Sequence, residues 1–376
     1  MQIEVVAEKW VNDGFCIGYE NGKTIFILGA IPGEKVICEI YEENSKFLKV
    51  KTVSVLQISE KRRVPPCPVF LECGGCTFQH IEYAEERQLK VDLFFDGIKF
   101  HGLLKNSEIQ KENISIKFNN EYGYRNNVQL KIKNNLTGFF KPKSNDIVPL
   151  PKTGCLLLSN EINNYILNKN NTIPEDGKLR YSSTGIKDYK KEITKFIVKN
   201  KEIIIPEDGF FQINQFLIED WIDEVVSLSG DNENIIELFC GAGVLSVFLA
   251  EEHNNLKGYE VSGKSIDYCK KNSVVHNLKN TTYEKKDLYQ NTIPKIKKDD
   301  FICIANPPRA GLGKIMKKFL LESVPKKIIY SSCNYTTLLP DLKDLKEKFE
   351  IKKIDIFDFF PRTPYFETLV LLERRK

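Results

Sequence analysis

The sequence contains no uncharged apolar run near the roughly 18 residues that a membrane helix needs, so we expect no membrane span. Residues 1–4 lack the basic start of a secretory signal, and no apolar segment follows them, so export is not expected. Neither sign of charge dominates, because 55 Lys and Arg face 51 Asp and Glu, and the net charge of +4 permits nucleic-acid binding without requiring it. With 41% hydrophobic and 28% charged residues, the composition excludes a largely disordered chain.

Cysteine, in contrast, is plentiful. Ten cysteines in a chain without an expected export signal argue against a disulfide scaffold. We therefore expect a cytoplasmic protein whose free thiols bind a metal or act as nucleophiles. Nothing in the sequence implies an obligate protein partner, and a length of 376 residues suggests two or three domains.

The beginning of the chain has the pattern of a small β-barrel. Apolar stretches at 23–28, 35–41 and 47–56 are separated by turn residues. Several short strands within so few residues predict an OB-like barrel, an architecture that often binds RNA; a β module without a ligand is the alternative.

The middle of the chain combines cysteines with short strands. A basic, proline-containing junction at 61–66 leads to Cys67, Cys73 and Cys76, which supply three thiolates for a metal site. A helical pattern runs from 81 to about 100, and we expect this helix to pack on the catalytic domain. The residues that follow are mostly strand-like.

The last part of the chain alternates strands and helices, as the βαβ units of a Rossmann-like α/β domain require. Parallel strands are predicted at 234–239, 256–259, 301–305 and 327–330, and an antiparallel pair at 349–357 and 368–373. Helices are predicted after Gly243, Ser262, Gly313 and Asp341. We place the domain boundaries at 1–56, 57–208 and 209–376.

A glycine-rich turn follows the first of these strands. Gly241 and Gly243 allow the backbone to approach a ligand at the carboxyl edge of the sheet. Glu260 ends the next strand, where a carboxylate can bind both ribose hydroxyls, and Asp287 is placed to contact an adenine amino group. Because Glu237 precedes the turn and no third glycine serves a pyrophosphate, S-adenosylmethionine is favoured over NAD. A purely structural turn is the remaining alternative.

Reactive side chains follow the later strands. Asn306 and Cys333 come at the carboxyl ends of parallel strands, and Glu367 opens a final antiparallel strand at the same edge. A thiolate from Cys333 can add to C6 of uracil, which makes C5 nucleophilic, and Glu367 can then remove the C5 proton. The rival is an amino-group methyltransferase that binds adenine or guanine through Asn306-Pro307-Pro308. A second rival is a catalytically degenerate RNA-binding protein.

Taken together, these motifs resemble the RNA uracil-5-methyltransferase family, which makes 5-methyluridine in tRNA and 23S rRNA. Residues 29–36 are similar to its TRAM domain, 66–80 to its iron–sulfur motif and 211–214 to the element before its methyltransferase domain. The resemblance implies a class I methyltransferase domain with Cys333 as nucleophile and Glu367 as general base. It also implies cofactor contacts from Gln212, Phe239, Val244, Glu260, Asp287 and Asn306.

Two positions depart from the family pattern. Asn306 stands where Asp is usual before Pro-Pro-Arg, and Val244 stands where Asn is common. The first change removes a charge and the second a side-chain hydrogen bond. Neither removes the chemistry of Cys333 and Glu367.

The resemblance also bears on the cysteines and on the RNA. It gives Cys155 as the fourth ligand of a [4Fe–4S] cluster in a β-rich central domain, with a Cys₄ zinc site as the alternative. It favours 23S rRNA as the substrate, with the tRNA T-loop as the alternative.

The target base must leave its stack, and the protein must hold the surrounding RNA. We expect phosphate contacts from basic residues and stacking on the extruded base from aromatic ones. The basic residues are Lys61, Arg62, Arg63, Arg125 and Arg309, and the aromatic ones are Phe360, Tyr365 and Phe366. Arg309 is also a candidate for promoting ionisation of Cys333.

Overall fold

The computed structural model describes residues 2–20, 22–104, 109–134, 136–142, 144–187, 193–293 and 301–376. None of the helices within these ranges is long and apolar enough to cross a membrane.

Within the described part of the first 57 residues, six strands form one sheet that wraps around its buried face. They are β1 (Gln2–Val6), β2 (Lys9–Trp10), β3 (Phe15–Glu20), β4 (Lys23–Leu28), β5 (Lys35–Glu43) and β6 (Phe47–Gln57). Strand β1 pairs with β5, whereas β2, three residues further on, pairs with β3 at the opposite end of the sheet. One short segment therefore joins both edges around a core that includes Val5, Cys16, Ile25 and Val50.

The next part of the chain contains two helices and several short strands. In order they are α1 (Tyr83–Phe100), β7 (Ser115–Lys117), β8 (Asn127–Gln129), β9 (Lys131–Lys133), β10 (Leu136–Phe140), β11 (Ile147–Pro149), α2 (Asn160–Leu167), β12 (Lys178–Ser182), β13 (Gly185–Lys187), β14 (Thr194–Val198) and β15 (Lys201–Ile205). Strands β9–β11 form one small sheet, β8, β12 and β13 form a second, and β14 and β15 form a hairpin.

The remaining elements surround a large sheet. They are α3 (Ile218–Ser229), β16 (Asn234–Leu238), α4 (Val244–Glu252), β17 (Asn255–Glu260), α5 (Gly263–Val275), β18 (Thr281–Lys285), β19 (Ile302–Ala305), α6 (Gly313–Ser323), β20 (Lys327–Ser332), α7 (Tyr335–Leu345), β21 (Phe349–Phe357) and β22 (Glu367–Arg374). The strand order is β18-β17-β16-β19-β20-β22-β21-β7. Strands β16–β20 run parallel, and β22 is antiparallel to β20, so the predicted α/β alternation is observed.

One predicted helix begins in a different place. Helix α7 starts at Tyr335, directly after the strand that leads to Cys333, and not after Asp341. The Asn334 side chain caps it by accepting a hydrogen bond from the Thr336 amide. Pro340 lies inside the helix, and because proline has no N–H group it usually marks a helix end, which made the true start hard to read from the sequence.

Helix α1 and strand β7 belong to the core of the large sheet, although more than 100 residues separate them from β16. Phe94 on α1 packs edge-on against Tyr335 and Phe366. Strand β7 pairs in parallel with β21 and forms the outer edge of the sheet. The large sheet and its core are therefore built partly from the middle of the chain.

A buried ionic network links α1 to the loop between β21 and β22. The Lys90 ammonium donates to Glu86 (2.7 Å), to Asp358 (2.8 Å) and to the Phe360 carbonyl (3.3 Å). Glu86 also accepts from the Arg362 amide (2.7 Å). Because removing one partner of a buried ion pair costs about 3–5 kcal/mol, this network holds the loop firmly in one path.

Candidate active site

A cavity of about 720 Å³ opens where β16, β19 and β20 end, at the carboxyl edge of the large sheet. It is lined by every predicted catalytic and cofactor residue except Gly243, and also by Arg309 and Phe360; the predicted residues on the wall are Gln212, Phe239, Gly241, Val244, Glu260, Asp287, Asn306, Arg309, Cys333, Phe360 and Glu367. Gly243 is not on the wall; it precedes α4 with a φ of 76°. A Cβ there would lie 3.1 Å from the Cys269 sulfur, so the close packing of this turn, together with its left-handed backbone, requires glycine.

The carboxylate of Glu260 is held at the glycine-rich turn by backbone donors. It accepts from the Gly241 amide (3.2 Å) and the Ser262 amide (2.9 Å). These bonds fix its orientation on the cavity wall, where it can accept from a pair of vicinal hydroxyls. Gly241 has a φ of 55°, and nothing lies within 4 Å of its Cβ position, so a ligand has room beside it.

A second carboxyl group lies beneath this turn. Glu237 is buried and accepts a hydrogen bond from Ser246. Burial raises the pKa of Glu237 to about 8, opposed by the Ser246 bond and assisted by the nearby charge of Glu260. The acid is therefore largely neutral at pH 7, and a cationic group entering the cavity would favour its ionised form.

Other parts of the wall were missed by the sequence analysis. The Tyr289 ring lies 5.6 Å from that of Phe239, and its hydroxyl donates to the Gly311 carbonyl (2.8 Å). Phe210 and Val261 also line the cavity, and Phe210 is 74% exposed. These apolar surfaces suit a flat ring. The sequence signal was weak, because single aromatic residues in loops have many roles.

Cys333 and Glu367 come from neighbouring antiparallel strands. Ser332 at the end of β20 pairs with Thr368 in β22, so Cys333, which follows β20, and Glu367, the first residue of β22, lie at the same edge. Adjacent strands are about 4.8 Å apart. Both side chains line the cavity, and a thiol and a carboxyl group therefore face one ligand space.

The carboxyl group of Glu367 is almost completely buried, at 2% exposure. Ser331 donates a hydrogen bond of 2.5 Å to it, and the Trp221 indole donates to the Ser331 hydroxyl (3.0 Å). Burial raises the pKa of Glu367 to about 7, against the opposing effect of Ser331. The acid can therefore both lose and accept a proton near neutral pH. Ser331 lies two residues before Cys333, and this spacing was a signal in the sequence for a residue near the site.

The thiol of Cys333 needs assistance to ionise. Its pKa is raised to about 11, chiefly by burial and then by the charge of Glu367, while Arg309 opposes the shift. Arg309 lowers the pKa of Cys333, as predicted, but the effect of burial on this pKa is larger. The Arg309 guanidinium stacks on Tyr365 at 4.5 Å, and its carbonyl accepts from Asn334 (3.0 Å), so the two loops are tied together.

Two of the arginines predicted to contact RNA use their donors within the protein. Arg62 makes two hydrogen bonds of 2.6 Å with Glu34 and one of 2.8 Å with the Gly29 carbonyl. Arg63 donates to the Gln79 carbonyl (3.1 Å) and to Tyr122 (2.9 Å). We therefore leave both out of the proposed RNA contacts. Their partners lie 16 to 59 residues away in the chain, so these pairings were not visible in the sequence.

The aromatic candidates differ from one another. Phe360 lines the cavity, and Tyr365 is partly exposed beside Arg309. Phe366 is only 2% exposed and stacks on Tyr335 within the core, so it is unavailable to an RNA base and that prediction is wrong. The difference comes from tertiary packing, because the Phe366 ring contacts Phe94 and Tyr335 next to a strand whose first six residues are all buried.

The four predicted ligand cysteines are half-buried and near one another. Burial raises the pKa of Cys73 to about 11 and also raises that of Cys155, and Arg125 opposes the shift at both. Burial, and then the neighbouring thiols, raise the pKa of Cys76. In the described ranges, no three Cys, His, Asp or Glu side chains converge on a single metal-ion position. Arg125, which was predicted to contact RNA, lies close enough to Cys73 and Cys155 for its charge to favour their thiolates.

Comparison with known proteins gives consistent matches. A family model described as tRNA (Uracil-5-)-methyltransferase matches residues 186–375. An uncharacterised RNA methyltransferase of Leptospira interrogans is 30% identical, over 98% of this chain and 94% of the relative. Another from Aquifex aeolicus is 28% identical, over 99% of this chain and 98% of the relative.

Among solved structures, the Pyrococcus abyssi tRNA (uracil-54, C5)-methyltransferase, in complex with S-adenosyl-L-homocysteine, aligns with a TM-score of 0.75. The alignment covers 98% of this chain and 99% of that one, at 20% identity. At that identity the likeness establishes a shared fold along the whole chain.

Proposed function

The chain belongs to the tRNA (uracil-5-)-methyltransferase family and is an RNA uracil-5-methyltransferase, and we propose that it acts through Cys333 as nucleophile and Glu367 as general base. The observation that carries the proposal is the meeting of this thiol and this acid over one cavity. An amino-group methyltransferase using Asn306 has no need of either side chain. A degenerate binding protein would not need to keep them together.

The methyl donor is proposed to be S-adenosylmethionine, which supplies an electrophilic methyl group on a sulfonium. Glu260 suits its ribose hydroxyls, and the apolar surfaces of Phe239 and Val261 suit its adenine ring. Asp287 lies on the same wall and can accept from the adenine amino group. Gln212 and Asn306 offer amides toward the remaining polar groups.

The chemical steps follow from the two reactive side chains. The Cys333 sulfur bonds to C6 of the uracil, and the electron pair of the 5,6 double bond becomes available at C5, which takes the methyl group. Glu367 then removes the C5 proton, the double bond re-forms, and the bond from C6 to sulfur breaks. Arg309 favours the thiolate. Ser331, held by Trp221, orients the carboxylate for proton removal.

We propose that the RNA substrate is 23S rRNA, because the combination of the N-terminal sheet and the cysteine segment favours it. We interpret that sheet as an OB-like TRAM domain. Transfer RNA is the second candidate, because the family model and the Pyrococcus abyssi protein are named for it.

Growth of cells in 5-fluorouracil is expected to trap the protein on its substrate. Fluorine at C5 cannot leave as a proton, so the Cys333 adduct should persist, and sequencing of the attached RNA identifies the molecule and the uridine. A Cys38→Ala variant, altered in a thiol of the N-terminal sheet, should trap equally well. An active enzyme that never forms the adduct would contradict the uracil mechanism, and tRNA in the adduct would replace 23S rRNA as the substrate.

The four cysteines are proposed to hold a [4Fe–4S] cluster. The support for this assignment is the resemblance of residues 66–80 to the iron–sulfur motif of the family, with Cys155 as the fourth ligand. A Cys₄ zinc site is the alternative. The cluster supplies no chemistry to the uracil reaction; its proposed part is to hold the central segment together.

Metal analysis tests this assignment directly. We expect about four iron and four sulfide ions per chain after anaerobic purification, with a broad visible absorption, since four thiolates ligate such a cluster. Cys76→Ser should lose most of the iron, whereas Cys38→Ala should retain it. One zinc ion per chain, without sulfide, would establish the alternative.

A further inference from the structure

Helix α1 carries an arginine with no acidic partner among the described residues. The Arg87 guanidinium instead stacks on aromatic rings, 3.4 Å from the centre of the Phe118 ring and 5.0 Å from that of Tyr83. Its buried Nε has no hydrogen-bond partner. Tyr83 donates to Asp358 (3.0 Å), which anchors the stack to the loop between β21 and β22. The arginine is thus held in place by stacking while its charge stays unneutralised.

The stack lies at the catalytic edge of the sheet. Lys117, Phe357 and Glu367 form one row across β7, β21 and β22. Two strand spacings, about 10 Å, therefore separate the backbone at Lys117 from that of the catalytic acid. Phe118 follows immediately and is 49% exposed. An exposed ring backed by a guanidinium thus lies at the same edge of the sheet as Glu367, about two strand spacings away.

The local charge is positive, because the neighbouring acids already have partners. Glu82 contacts Arg63 at 3.2 Å, Glu85 contacts Lys61 at 2.6 Å, and Glu86 contacts Lys90 at 2.7 Å. Lys117 is exposed and, like Arg87, has no ion pair within the described ranges. The surface therefore complements a phosphate and also offers a flat ring.

We propose that Tyr83, Arg87 and Phe118 form a platform on which an unpaired base of the substrate RNA stacks, a few nucleotides from the target uridine. Arg87 contacts the adjoining phosphate. Bases in single-stranded RNA commonly stack on aromatic rings and guanidinium planes. The inference rests on the proposed function, since it names how the same enzyme holds the RNA around its target.

Binding of a labelled oligouridine of about 12 nucleotides, with one central 5-fluorouridine, tests the platform. Loss of one stacked base costs about tenfold in affinity, so Phe118→Ala should raise Kd by that factor, and Phe118→Tyr should restore it. Arg87→Gln should weaken binding and reduce the slope of log K against log salt by about 0.7. Phe100→Ala is the matched control, because Phe100 is 86% exposed at the other end of α1, about 20 Å along the helix from Arg87.

Two results would overturn the platform. One is an unchanged Kd in both Phe118→Ala and Arg87→Gln. The other is a loss of affinity for polyglutamate in these variants that equals their loss of affinity for the oligouridine. That result would make the surface a general anion site. The covalent adduct at the central 5-fluorouridine is scored separately in wild type. If wild type forms the adduct but the variants bind the RNA as tightly as wild type, only the platform is refuted. If binding depends on Phe118 but wild type forms no adduct, only the uracil mechanism is refuted.

Discussion

Replacing Cys333 with alanine is expected to abolish methyl transfer while leaving cofactor binding unchanged. Without the thiolate there is no addition to C6, so C5 remains a poor nucleophile and no catalysed route to the product is left. We expect the rate to fall by at least about 10⁶-fold, the lower end of enzymatic rate enhancements. Transfer of a radiolabelled methyl group to RNA measures the loss.

The cofactor should bind the variant normally, because Cys333 follows β20, three strands along the sheet from β17, which ends at Glu260. Calorimetry with S-adenosylmethionine checks this. Cys38→Ala controls for the loss of a thiol elsewhere and should keep full activity. If Cys333→Ala kept its turnover, Cys333 would not be the nucleophile. The amino-group methyltransferase mechanism that uses Asn306 would then be the hypothesis to test.

The strands around this site were predictable because their sequence signals are local. Continuous apolar runs followed by glycine, acidic or asparagine residues mark parallel strands that end at a ligand. The rule that such ends share one edge was enough to bring Asn306 and Cys333 together. The antiparallel direction of the last strand added Glu367.

Other features could not be read in this way because they depend on distant partners. Strand β7 has only three residues, and its place in the large sheet is set by β21, more than 200 residues later. Burial of Lys90 is unexpected for a lysine and depends on Glu86 and Asp358. The pairing of Arg62 with Glu34 likewise turned a predicted RNA contact into an internal bond. Charged side chains reveal their partners only when the fold is known.

In the folded protein the charge of Glu367 also affects the ionisation of Cys333, and the sequence motifs gave no sign of this interaction. Glu367 raises the pKa of Cys333, so the ionised acid opposes the thiolate on which the first step depends. Because the pKa of Glu367 is itself raised to about 7, this acid is neutral in a substantial fraction of the protein molecules at physiological pH. The neutral form eases addition of the thiolate, and the ionised form is needed only later, for removal of the C5 proton.

Replacing Glu367 with glutamine should therefore separate the two steps. The amide can still accept the hydrogen bond from Ser331, and a neutral group suits this buried position, so the fold should be preserved. Loss of the negative charge lowers the pKa of Cys333, which favours addition to unmodified RNA. Removal of the C5 proton should slow by about 10²–10⁴-fold, the usual contribution of a general base.

The expected result is a methylated RNA–protein adduct that accumulates without any fluorinated base and survives a denaturing gel. Glu373→Gln, an acid-to-amide change in the same strand β22 but away from the cavity, should leave no adduct and full activity. Rapid release of methylated RNA from Glu367→Gln would show that another group removes the proton. Because addition is favoured while elimination is blocked, the adduct should also form at lower pH than wild-type turnover requires, which a simple loss of folding cannot produce.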